Sequence, residues 1–302
     1  MASALSAEAI PPGYGRVVHR AIVVPALLLC TLLGGCQPDG TQAPSAASAS
    51  AGPSAASPSP ASPATAPATV TPTPTASRTA APDARPLAGR TIVIDPGHNG
   101  VWTRRELRKV PSGNGRTKPC NSSGTATNAG YPEHAYTWAQ ANALAAELRD
   151  RGATVRLTRP NDHGEGPCVN LRSTLANQLE ADALVSIHAD GSLSRGARGF
   201  HVIVSTTMAG GAAVERQSLA LAKDLRHALA DGTSMPRSTY VGGGTALSLR
   251  DDLGTLNLSR RPAVMLEMGN MRNSRDAALL ASKAFRKKAA DAIADGLVTA
   301  LG

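Results

Sequence analysis

From Leu87 to the C-terminus, short apolar runs alternate with stretches in which apolar residues recur every three or four positions. TIVID (91–95), TVRLT (154–158), ALVSI (183–187), FHVIV (200–204), a weaker TALSL (245–249) and AVMLE (263–267) are brief runs, most of them rich in β-formers. Most lack a polar face, which predicts strands covered on both sides. Trp138, Ala141, Leu144, Ala145 and Leu148 share helical spacing and end at Gly152, a residue suited to a helix C-terminus. Leu219, Ala222, Leu225 and Leu229 repeat that spacing before Gly232, and one last helix is expected after Ser274, carrying Phe285, Ala289, Ile293 and Leu297. The alternation predicts a single-domain α/β fold: a mostly parallel mixed sheet of about six strands with helices on both faces.

Ahead of this pattern the periodicity vanishes. Every residue of 41–85 except Gln42, Val70, Arg78, Asp83 and Arg85 is Ala, Ser, Pro, Thr or Gly. Such a segment has too little apolar surface to offset chain entropy and reads as a disordered linker, assigned to 37–86. Residues 1–36 read as an export signal: Arg16, His19 and Arg20 precede the apolar run 21–33, and Leu33-Gly34-Gly35-Cys36 closes it. A run of that length is too short for a bilayer, which takes about 20 residues. The closing tetrapeptide resembles a bacterial lipobox, so Cys36 is the expected lipidation site, with simple secretion the alternative. The part able to fold is then 87–302 of the 302 residues.

Export changes how the cysteines read. Cys30 falls in the leader and Cys36 at its end, leaving Cys120 and Cys168, which in an oxidising compartment are expected to form a disulfide. Free thiols or a metal pair are the alternatives. The formal charge is +9, most of it beyond the linker, with clusters at Arg104, Arg105, Arg108, Lys109 and at Arg286, Lys287, Lys288. Outside the cytoplasm such a surface fits anionic envelope polymers or lipid head groups. No nucleic-acid motif accompanies it, and no nucleic-acid partner is expected.

Candidate chemistry gathers at strand ends. In parallel α/β sheets, ligands collect at the carboxyl edge. His98 follows TIVIDPG, His188 ends ALVSIH and Glu267 ends AVMLE, while Glu133 opens the first long helix. Two imidazoles and a carboxylate form an open zinc site. Glu133 alone is also compatible with a helix-dipole role. Glu267, closing an apolar run, is costly to bury without a task. His134, His163, His201 and His227 lack this strand-end placement.

The blocks IVIDPGH, YPEHAYTWAQANALAAELRDRGATVRLTR, ANQLEADALVSIHADG and AVMLEMGNMRN resemble, in order, those of the zinc-dependent N-acetylmuramoyl-L-alanine amidases of the amidase-3 family. GTATNAGYPEH, GPCVNLR and the paired cysteines resemble its single-domain actinobacterial members in particular. The resemblance implies a six-stranded sheet flanked by helices and one Zn²⁺ held by His98, Glu133 and His188, with Glu267 as catalytic carboxylate. It further implies peptidoglycan or muropeptides as substrate, cut between N-acetylmuramic acid and L-alanine during wall remodelling or turnover. Another zinc peptidoglycan peptidase and a non-catalytic wall-binding lipoprotein are the rival readings. A monomer on the outer face of the membrane, anchored through Cys36, is expected. The ending MGNMRN departs from the family's GF-x-SN type, so no substrate contact is carried over to that loop. The long segment 99–131, rich in Gly, Ser and Thr, is expected to form a flap tied at its base by Cys120 and Cys168.

Overall fold

The computed structural model describes residues 85–302. The leader, Cys36 and the linker up to residue 84 lie outside the described residues. Six strands form one sheet: β1 (Thr91–Pro96), β4 (Thr154–Leu157), β5 (Ala183–Asp190), β6 (His201–Ser205), β7 (Leu247–Arg250) and β8 (Ala263–Asn270). Their spatial order is β4-β1-β5-β8-β6-β7. Neighbours run parallel except β6 against β8, so the sheet is mostly parallel and mixed, as the sequence predicts.

Strand parity assigns the two faces. Ile92, Ile94, Val185, Ile187, Val264 and Leu266 join the larger core with α1 (Glu133–Asp150), α3 (Gly211–Gly232) and α6 (Lys283–Leu301). Val93, Leu184, Ile203 and Met265 point the other way and pack with Ala176 of α2 (Val169–Gln178) and Leu256 of α4 (Gly254–Asn257). This second face has only these short helices. Counting by twos from Leu184 and Met265 places His188 and Glu267 on the thinly covered side, at the carboxyl edge.

Three local features differ from the sequence expectations. The expected flap carries a hairpin, β2 (Lys109–Pro111) and β3 (Thr117–Pro119), after a 3₁₀ turn at Arg104–Leu107. Helix α2 was not expected, because its buried positions are Arg172, Ser173 and Ala176 rather than large apolar residues. The single C-terminal helix is two, α5 (Ser274–Ala281) and α6, because Ser282 adopts an extended backbone and its hydroxyl caps Phe285 N–H. Among the described residues, no helix is long and apolar enough to cross a membrane.

Candidate active site

His98 sits just past β1, where the chain turns sharply with a φ of 62°. Glu133 begins α1, and His188 lies near the end of β5. The three converge. His98 Nε2 is 2.9 Å from Glu133 Oε1, His188 Nδ1 is 3.0 Å from the same oxygen, and the two ring nitrogens are 3.1 Å apart. No other cluster of this kind occurs among the described residues.

The surroundings decide what these atoms offer. His98 Nδ1–H donates to the Ser122 carbonyl at 2.9 Å, which turns Nε2 toward Glu133 and His188. Glu133 is aimed by two backbone donors, Ala189 N–H to Oε1 at 3.0 Å and Thr125 N–H to Oε2 at 2.9 Å. Space is equally constrained. A Cβ at Gly97 would strike the His188 imidazole, and one at Gly124, which has φ +76°, would press on Glu133 and His98. Two imidazoles and a carboxylate, aimed at one point from a buried setting, fit a divalent cation such as Zn²⁺.

Glu267 is the register partner of His188 across β5 and β8, so its side chain rises on the same face one strand away. Its Oε2 is buried with no hydrogen-bond partner among the described residues. The two carboxyls are driven apart. Burial opposes ionisation of Glu133, but the charges and hydrogen bonds of His98 and His188 outweigh it and hold the group well below the usual range. Glu267 is pushed well above that range by burial, then by the charges of Glu133 and Asp190, against a smaller opposing effect of Arg250. Both line one cleft of about 380 Å³ with His98, His188, Lys118 and Asp190.

The profile of the Amidase_3 family, N-acetylmuramoyl-L-alanine amidase, matches residues 92–299. The chain belongs to this amidase family. It is 42% identical over 211 residues to the N-acetylmuramoyl-L-alanine amidase Rv3717 of Mycobacterium tuberculosis, covering 70% of this chain and 86% of that protein. The crystal structure of the amidase Ami1 from Mycobacterium smegmatis superposes with a TM-score of 0.68 at 43% identity, over 72% of this chain and 98% of the other. Apo Ami1 from Mycobacterium abscessus gives 0.68 at 40%, over 72% and 100%.

In this amidase, His98, Glu133, His188 and Glu267 thus share one cleft. Cys120 and Cys168 form a disulfide, the first of the alternatives for that pair. Of the other histidines, His134 pairs with Asp162 at 2.9 Å and is not part of the cluster. His201 lies opposite Glu267 across β6 and β8 but is not part of the cluster.

Two buried arginines escaped the sequence reading. Arg172 donates from Nη1 to Asp95 at 2.6 Å and to the Pro96 carbonyl at 2.9 Å, and from Nη2 to the His98 carbonyl and Asn99 Oδ1, both at 2.8 Å. Arg159 donates to the carbonyls of Pro96 at 3.0 Å and His134 at 2.9 Å, joining the end of β1 to the start of α1. The available signal was spacing: Arg172 and Ala176, four apart on a helix, share the inward face.

Proposed function

We propose that this amidase is a zinc enzyme in which His98, Glu133 and His188 hold one Zn²⁺ and Glu267 moves the proton. The carrying observation is the convergence of His98 Nε2, His188 Nδ1 and Glu133 Oε1, with the His98 tautomer fixed from behind by Ser122. When bound, the ion supplies Lewis acidity, lowering the pKa of water and polarising the lactyl carbonyl of the muramoyl–L-alanine amide.

The protein residues do the rest. Glu267, unpartnered at Oε2 and one strand from the ligands, accepts a proton from the attacking water and delivers it to the departing L-alanine amine. Glu133, held ionised, stays a ligand, so the two carboxyls have separate tasks. Gly97 and Gly124 keep the ring and carboxylate in place by leaving no side chain in the way.

The setting follows from the remainder of the chain. Residues 1–36 direct export, Cys36 receives lipid, and 37–86 tether the catalytic unit 87–302 to the outer face of the membrane, where it acts as a monomer on peptidoglycan. Wall remodelling or turnover is the task that fits this placement.

Mass analysis of muropeptides after digestion tests the reading. Release of intact stem peptides with a free L-alanine amine, dependent on added zinc after chelation, is the expected result. Cleavage within the stem peptide would assign a peptidase instead, and the absence of any cleavage would leave a binding protein.

A further inference from the structure

Between His98 and the β2–β3 hairpin, the chain exposes what globular domains normally hide. Val101 is 41% exposed, Trp102 47% and Leu107 55%. The other aromatic side chains among the described residues are buried or half-buried, so Trp102 stands out. Exposed cations are interleaved with these apolar groups: Arg104, Arg105, Arg108 and Lys109.

The segment is held in shape from below. Glu106 is buried and accepts from Asn99 Nδ2 at 2.8 Å, anchoring the 3₁₀ turn inward. With three residues per turn, Arg104 and Leu107 then eclipse one another on an outward face. Thr103 caps the turn and donates to Glu165, which also pairs with Arg105 at 2.6 Å. Arg104 and Lys109 form no ion pair among the described residues, and Arg108 donates to Cys168 Sγ at 3.1 Å rather than to a carboxylate.

We propose that residues 101–109 form a docking patch for an anionic phospholipid surface. Charge complementarity selects anions, and the apolar groups select among them. A hydrated polyanion would engage Arg104, Arg108 and Lys109 but leave Val101, Trp102 and Leu107 in water. A bilayer interface takes both, with the indole and aliphatic groups at the headgroup–acyl boundary and the cations among the phosphates. Docking through this one segment fixes which face of the domain meets the membrane. The patch goes beyond the tether proposed at Cys36: lipid there keeps the domain near the membrane, whereas this segment orients it.

The test uses residues 85–302, which carry no acylation site. A unit of this extent folds alone, since 98% of the Ami1 chain crystallised from Mycobacterium smegmatis corresponds to 72% of this one. Sedimentation is measured with vesicles of 30% phosphatidylglycerol in phosphatidylcholine and with vesicles of phosphatidylcholine alone. Binding to the anionic vesicles, weakening as salt rises, with a blue shift of Trp102 fluorescence read in a Trp138→Phe background, is expected. The double variant Trp102→Ser/Leu107→Ser should bind about tenfold more weakly or worse, as should Arg104→Gln/Lys109→Gln. Both variants should retain wild-type hydrolysis of soluble muropeptides, which separates loss of docking from loss of fold or of catalysis. The proposal fails if the wild type ignores anionic vesicles or if Trp102→Ser/Leu107→Ser binds them undiminished. It also fails if soluble poly-L-glutamate abolishes vesicle binding while Trp102 fluorescence stays unshifted throughout, which would assign the cations to a polymer.

Discussion

Arg172 donates a 2.8 Å hydrogen bond to the backbone carbonyl of His98, the residue whose positive φ turns its imidazole toward Glu133 and His188. The same guanidinium neutralises Asp95 beneath the sheet edge, so one buried cation supports both the strand and the ligand that follows it.

Arg172→Met should weaken zinc binding by about 10–100-fold, the usual effect of removing a group that orients a metal ligand. It also leaves Asp95 buried without its cation, a loss of about 3–5 kcal/mol. Combining Arg172→Met with Asp95→Asn should restore much of the stability but not the affinity. Competition against a chromophoric chelator, with urea unfolding in parallel, measures both; full recovery of zinc affinity in the double variant would show that Arg172 acts on stability alone.

His201 predicts a pH dependence of stability. Burial pushes its pKa down to about 4 from 6.5, the charge of Asp190 opposing and that of Arg250 reinforcing the shift. The unfolded chain therefore binds a proton below 6.5 that the folded protein refuses until about 4. Stability from this group is intact above pH 6.5 and is lost as pH falls through that window, by about 3 kcal/mol in all. His201 Nδ1 has no partner among the described residues, so His201→Phe sacrifices no hydrogen bond there. Urea midpoints of wild type and His201→Phe, taken from pH 7 to pH 4, should diverge as acid is added; parallel curves would contradict the assignment.

The disulfide closes a sequence separation of 48 residues, worth about 3–4 kcal/mol through the unfolded chain. Beyond Cys120 the chain supplies Ser122 O to His98 and Thr125 N–H to Glu133. Cys120→Ser/Cys168→Ser should therefore lower the unfolding free energy by that amount, weaken zinc binding and speed proteolysis within residues 99–131. Unchanged cleavage of that segment would show that the bridge does not hold it.

Legibility in the sequence followed burial chemistry. TIVID and AVMLE were readable as strands because both sheet faces are covered and their runs are apolar throughout. His98, His188 and Glu267 were readable because each punctuates such a run at its carboxyl end. Helix α2 was hidden because a buried arginine looks like a solvated one until Asp95 and the His98 carbonyl are seen around it. The hairpin was hidden by its length, three residues in each strand with no apolar alternation. Ser282 divided the last helix through a cap that apolar spacing does not record.

Glu267→Ala bears most directly on the proposed mechanism. Zinc content by atomic emission and muropeptide cleavage by mass spectrometry should be measured on the same preparation. Near-stoichiometric zinc with hydrolysis of the muramoyl–L-alanine amide reduced by a factor of about 10² or more is the predicted result, in the range attributed to a positioned general acid–base. A zinc-loaded Glu267→Ala enzyme that cleaves at the wild-type rate would contradict it.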